Sequence, residues 1–258
     1  IDVGGTKIAA AQVDLENGSI QNRREIPTNP SRGGEAILND VIQIAESLRN
    51  GASSIGLGLA ELVTRDGEIA SNATIDWLDL NVRERLSQIL PTRIEADVRA
   101  AARAEARFGA GQNSACFLYV TVGTGISCAL VLDGKPFTGA RGFTGTFASA
   151  PITVPLKDAL VKSGPLESFA SGLALSQRSG MDTRQLFPLT DPRSTELVQS
   201  AAIALGSAIA QLVNTLDPEL VVIGGGLGCV PGVFHETLKS SFYRSEEHTS
   251  ELQSRFGI

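Results

Sequence analysis

The chain has 258 residues, enough for one large domain or two modest ones with a real core. Hydrophobic residues make up 42% and charged ones 19%, with a formal net charge of −6 and a pI near 5.1. That balance describes an ordinary soluble protein and argues against a nucleic-acid binder working through a basic surface. The longest apolar stretches fall short of the roughly 20 residues a membrane helix needs, and no charged-then-apolar leader precedes the first strand.

The chain opens on "IDVGGTKIAAAQVDLENGSI". Ile1 and Val3, and then Ile8 to Val13, are apolar runs of strand length on either side of Gly4-Gly5-Thr6-Lys7. Gly-Gly between two such runs predicts a tight hairpin turn. Residue 1 is not Met and falls inside a strand, so the natural N-terminus is expected upstream. A helix follows over Gly34–Arg49. Next comes a short strand, Thr92 to Glu95, after which Asp97 opens an Ala-rich helix ended by Gly109. Asp97 is either an N-cap or, from its place at a strand end, a general base.

The opening pattern recurs in "FLYVTVGTGISCALVLDGKPF", which runs strand, Gly-Thr-Gly, strand and a turn at Asp133-Gly134. Two copies half a chain apart predict two lobes of one plan. Further helices are expected over Leu166–Ser176 and Thr195–Leu216. A third glycine cluster ends the strand in "PELVVIGGGLGCV". Strands alternate with helices throughout, which indicates an α/β fold.

Phosphate suits three glycine turns at strand ends. Glycine lets backbone N–H groups approach an anion, and Thr6, Thr121 and Thr124 add hydroxyls. Lys7 either adds a positive charge or is a solvated residue of the second strand. Gly224, Gly225 and Gly226 would offer a flat face to a base or ribose. The spacing matches neither the Walker loop nor the dinucleotide fingerprint, and each turn alone reads equally as a simple reversal. Cys116, Cys128 and Cys229 are scattered without CxxC spacing, which predicts buried thiols in a reducing, cytoplasmic setting rather than disulfides or zinc. His235 and His248 are the only histidines, so acid–base chemistry is expected to rest on a carboxylate.

The last stretch, "RSEEHTSELQSRFGI", drops the apolar periodicity. It is either a disordered acidic tail or the in-frame translation of a common short-read sequencing adapter, which it resembles. The native part is expected to end near Tyr243, giving an N-terminal lobe over 1–112, a C-terminal lobe over 113–243 and a non-native tail over 244–258. Such a tail should find no settled place, leaving a sheet edge exposed.

Four motifs in order, "IDVGGTK", "VTVGTGIS", "GPLESFASG" and "NTLDPELVVIGGG", resemble the ROK family of bacterial sugar kinases and related repressors. The resemblance spans Ile1 to about Tyr243. It implies an actin-like (ribonuclease H-like) two-lobe fold in which ATP and sugar meet in a central cleft. It also implies that Asp2, Gly4, Gly5, Thr6 and Lys7 line the phosphate tail, with Thr121, Gly123, Thr124 and Gly125 on the other side and Gly224 to Leu227 holding adenosine. Asp97 matches the family's catalytic aspartate and Glu167 a sugar-contacting glutamate. Ala96 stands where the family has a sugar-binding Asn, and Arg99 replaces a second Asn. Thr146 and Ser149 occupy the places of a sugar-binding Glu and a zinc-binding His, and the cysteine-rich zinc knuckle before "GPLESF" is missing.

The resemblance therefore implies an ATP- and Mg²⁺-dependent sugar kinase without zinc, with glucose bound poorly. The alternative is a non-catalytic sugar or nucleotide sensor. Sugar, ATP and a second copy of the chain are the candidate partners; membrane and, through this chain, nucleic acid are not expected.

Overall fold

A computed structural model describes residues 1–156, 159–245 and 256–257. The chain divides into two compact units, Ile1–Phe108 with Phe137–Thr144, and Gly109–Pro136 with Gly145–Ile258. The division is not sequential, because the short 137–144 segment folds with the first unit.

Unit 1 begins with β1 (Asp2–Val3), β2 (Lys7–Val13) and β3 (Ile20–Pro27), a meander of antiparallel strands. Helix α1 (Gly34–Leu48) then crosses over to β4 (Ile55–Leu59), which lies parallel to β1. After α2 (Val82–Ser87), β5 (Thr92–Ala96) pairs in parallel with β4 and runs straight into α3 (Asp97–Phe108). The sheet order is β3-β2-β1-β4-β5. α1 buries Ile37, Leu38, Val41, Ile44, Ala45 and Leu48, a helical stripe of three- and four-residue steps.

Unit 2 repeats the plan. β6 (Cys116–Val122), β7 (Ile126–Leu132) and β8 (Lys135–Pro136) form the meander. The turn from β7 to β8 holds Asp133 and Gly134 at φ 49° and 72°, the left-handed pair that a tight hairpin requires. A separate hairpin follows, β9 (Pro151–Leu156) with β10 (Ala159–Pro165). Then come α4 (Glu167–Ala170), α5 (Gly172–Ser179), α6 (Thr183–Leu186) and the long α7 (Pro192–Leu216). β11 (Leu220–Gly224) pairs in parallel with β6, and α8 (Val233–Ser245) packs on α7. Gly206 makes that packing close, since a Cβ there would lie 2.7 Å from the Leu238 carbonyl oxygen. β12 (Phe256–Gly257) pairs in parallel with β11, giving the order β12-β11-β6-β7-β8. Read from the meander inwards, both sheets are three antiparallel strands followed by two parallel ones.

Five expectations need correction. The helix expected over Leu166–Ser176 is two helices, because Ser171 is extended and its hydroxyl caps α5 by accepting the Ala174 N–H at 3.2 Å. α7 starts three residues earlier than expected, with the Asp191 carboxylate accepting from the Arg193 and Ser194 N–H groups and Pro192 at the first turn. α7 is also, by length and composition, apolar enough to cross a membrane, with 25 residues and a mean hydropathy of 1.4 in its 18-residue window. More than half of that window is buried, as suits the core helix of unit 2. Cys128 is buried as expected, but Cys116 is half-buried and Cys229 exposed. At the tail, the edge of β11 that was expected to stay open carries Phe256–Gly257.

Candidate active site

The first glycine turn is closed by the Gly4 N–H donating to the Lys7 carbonyl oxygen at 3.0 Å. Thr28, fully buried, braces it: its hydroxyl donates to Gly4 O at 2.7 Å and its N–H to Thr6 O at 3.1 Å. Neither Gly4 nor Gly5 has a positive φ, so the hairpin's glycines are not there for a left-handed backbone. Space is the reason at Gly5, where a Cβ would come within 2.9 Å of the Thr74 methyl. Among the described residues, the N–H groups of Gly5 and Thr6 have no hydrogen-bond partner and are open to an anion. Lys7 lies exposed on β2 with its ammonium 3.2 Å from the Glu25 carboxylate.

β1 and β5 flank β4, and Gly58 on β4 separates two carboxylates. A Cβ at Gly58 would sit 3.7 Å from both Asp2 Oδ1 and the Asp97 Cα. The absent side chain leaves the Asp2 and Asp97 faces open to one another. Asp97 heads α3, and its Oδ1 accepts only the Val98 N–H, at 2.6 Å. An N-cap ordinarily accepts from the second or third N–H of the helix, so capping accounts poorly for this carboxylate. Burial, offset in part by the Val98 hydrogen bond and reinforced by the negative charges of Asp2 and Glu61, raises its pKa to about 6. Desolvation also raises Asp2, against the pull of Lys7. Among the described residues Asp2 has no hydrogen-bond or ion-pair partner.

Ala96 is buried at the end of β5 opposite Leu59. Arg99 is 2% exposed. Its guanidinium pairs with Glu95 and donates to the carbonyl oxygens of Val63, at 2.8 Å, and Gly142. It ties the 137–144 segment to α3.

In unit 2 the Gly123-Thr124-Gly125 turn is closed by the Gly123 N–H donating to Gly125 O at 2.9 Å. The start of α5 docks on it, with the Gly172 and Leu173 N–H groups donating to Gly123 O and Thr124 O. Among the described residues the N–H groups of Thr124 and Gly125 are left open, matching Gly5 and Thr6 in unit 1. Glu167, expected either to contact sugar or to be a solvated helix residue, accepts the Ile126 N–H at 2.7 Å. A Cβ at Gly125 would be 2.6 Å from its Oε2.

The third cluster lies beside the second, since Gly224 on β11 pairs with Thr121 on β6. Gly225 has φ 85°, and a Cβ on it would collide with Val122 and approach the Thr121 hydroxyl to 2.8 Å. Gly226 faces open space, whereas Leu227 is buried with its N–H bound to Val122 O at 2.9 Å. Thr146 and Ser149 are exposed, on either end of one short turn. Burial pushes the Cys128 thiol up to about 12, far from a nucleophile's range. Among the described residues no group of three or more His, Cys, Asp or Glu side chains is placed to hold a metal ion.

Two residues that the sequence reading passed over belong to this arrangement, Gly58 and Glu61. Glu61 is buried in the run "IGLGLAELV", and a lone carboxylate inside such an apolar stretch is itself a signal of a built polar environment.

Two sheets of one topology, each with a glycine turn between its first two strands, define the actin-like class of fold. The chain belongs to the ROK family, which it matches over residues 1–252. It is 33% identical to a ROK hexokinase of Thermus thermophilus, covering 95% of this chain and 87% of that one with a TM-score of 0.76. A ROK family glucokinase of Streptomyces griseus, solved with glucose and AMPPNP, is 26% identical with a TM-score of 0.84, covering 100% and 92% of the two chains. In sequence the chain is also 28% identical to an N-acetylmannosamine kinase of Escherichia coli, over 95% of this chain and 93% of that protein.

Proposed function

We propose that this protein is a cytoplasmic ATP-dependent sugar kinase whose general base is Asp97. The carrying observation is the Asp97 carboxylate itself: desolvated, held by one hydrogen bond, raised to about 6, and placed beside Asp2 at the glycine turn. A carboxylate in that condition is ionised at neutral pH yet basic enough to accept a hydroxyl proton. Asp97 takes the proton of the sugar hydroxyl as that oxygen bonds to the γ-phosphorus of ATP, and ADP departs with the electrons of the broken P–O bond.

The open N–H groups of Gly5 and Thr6 suit phosphate oxygens, and so, taken by themselves, do those of Thr124 and Gly125. Gly224 to Gly226 offer a side-chain-free face for the nucleoside. An unpartnered, exposed Asp2 fits a magnesium ion that keeps most of its waters. Bound with the nucleotide, Mg²⁺ would neutralise charge on the transferring group.

The names of the relatives support hexoses and N-acetylhexosamines as the substrate class. Thr146 and Ser149 offer weaker partners than a carboxylate and an imidazole, which supports a substrate other than unsubstituted glucose. An ADP-coupled assay over hexoses, N-acetylhexosamines and glucosides tests the proposal. Turnover with one of them, lost in Asp97→Asn, is the expected result. A sugar that binds without ever being phosphorylated would overturn it in favour of a sensor.

A further inference from the structure

Glu61 leaves β4 two residues after Leu59 and is 7% exposed. A buried carboxylate needs donors, and Glu61 has four: the Ser71 hydroxyl and the N–H groups of Ala73 at 2.9 Å, Thr74 at 2.7 Å and Ile75 at 2.9 Å. Three consecutive N–H groups converging on one anion make a backbone nest, here filled by the protein's own side chain. Thr74 is tied further by its hydroxyl, which donates to Ala60 O at 3.2 Å. Its methyl then lies against Gly5, the position whose glycine is explained only by that contact. The strand register brings the same carboxylate towards Asp97: Leu59 pairs with Ala96, so the two chains leave β4 and β5 side by side.

We propose that Glu61 is a positioning residue of the site, seating residues 71–75 on the glycine turn and keeping a negative charge beside Asp97. This rests on Asp97 being the base but adds a residue that neither touches substrate nor matches any motif singled out in the sequence. The charges acting on Asp97 are those of Asp2 and Glu61. Its other charged neighbours in sequence and sheet are engaged elsewhere. Glu95 and Arg99 pair with each other, and Lys7 pairs with Glu25.

Two variants separate charge from reach: Glu61→Gln keeps the length and removes the charge, and Glu61→Asp does the reverse. The readouts are the carboxyl titration of Asp97 by carbon-13 NMR, assigned with Asp97→Asn, and amide exchange at residues 73–75 in the full chain. Exchange at 73–75 should quicken roughly tenfold to a hundredfold in both variants, the usual worth of hydrogen bonds to a charged acceptor, with α7 amides as the unchanged control. The Asp97 midpoint should fall in Glu61→Gln, because a repelling charge has gone, and stay near its parent value in Glu61→Asp. A merely structural glutamate would quicken exchange but leave the Asp97 midpoint unmoved in Glu61→Gln, and that result overturns the proposal. So does failure of both variants to fold. Neither readout needs turnover, so a chain that phosphorylates no sugar would sink the kinase reading while leaving this one standing.

Discussion

The glycine turns of the two units close the same kind of hairpin, between the first two strands of sheets with one topology, yet their surroundings differ. In unit 2 the turn is clamped: α5 docks on its carbonyls, Glu167 holds the next N–H, and the neighbouring Gly225 is strained and boxed in by Val122. In unit 1 the turn is only backed, by Thr28 and the Thr74 methyl, and three carboxylates gather near it, Asp2, Glu61 and Asp97, none of them in an ion pair among the described residues. One plan has been used twice, with the turn clamped in one copy and flanked by carboxylates in the other. Duplication fixes the backbone, and the residues placed at its edges decide what surrounds each turn.

The largest expected effect separates the two roles at Asp97. Asp97→Asn should lower turnover about 100- to 10,000-fold, with the acid limb of kcat/KM in the parent protein falling near pH 6. Stability should move the other way. Because the folded-state pKa is raised, the folded chain binds that proton more tightly than the unfolded one. Its favourable contribution is complete below about pH 4 and is lost as pH rises through 6. The ionised group then costs on the order of 2–3 kcal/mol at pH 8. Asp97→Asn should therefore be more stable than its parent at pH 8, with the advantage gone by pH 4, as read by urea unfolding. Equal stability at both pH values would remove the chemical half of the comparison.

The clamped turn should be the less forgiving one. Gly225→Ala needs both a left-handed alanine and room in front of Val122, and should cost roughly 2–4 kcal/mol. Gly5→Ala meets only the end of a side chain and should cost less than about 1 kcal/mol. Equal losses in chemical unfolding would erase the contrast.

Glu167→Gln tests whether the clamp is all that this carboxylate does. Losing the charge-assisted bond to the Ile126 N–H should cost about 1–2 kcal/mol. A raised KM for sugar with an unchanged Tm would instead assign Glu167 to the ligand. The smallest effect belongs to Lys7→Ala. Its pair with Glu25 is solvent-exposed, so Tm should not move measurably, and nucleotide affinity should fall by no more than about fivefold in calorimetry. A much larger loss would show that Lys7 leaves Glu25 to meet the phosphate tail.

Strand and helix periods, the paired Gly-rich hairpins and the Asp133-Gly134 turn were legible in the chain because each depends on residues a few positions apart. So was the duplication, since both copies carry the same run of strand, glycine turn and strand. Asp97 could be found at its strand end, but only as one of two readings. What bears on them, burial and the charges of Asp2 and Glu61, comes partly from residues 95 and 36 positions away that the sheet order β1-β4-β5 brings near. The same holds for Glu61. Its four donors lie 10 to 14 residues on, and nothing local announces that Ser71, Ala73, Thr74 and Ile75 will curl around it. Arg99 looked like a lost sugar contact and is a brace between Glu95, Val63 and Gly142. Local pattern settled which elements form, because propensity and periodicity act over one or two turns of chain. Which carboxylate is poised, which is a strut and which glycine is indispensable were decided by packing, because desolvation and charge coupling act through space.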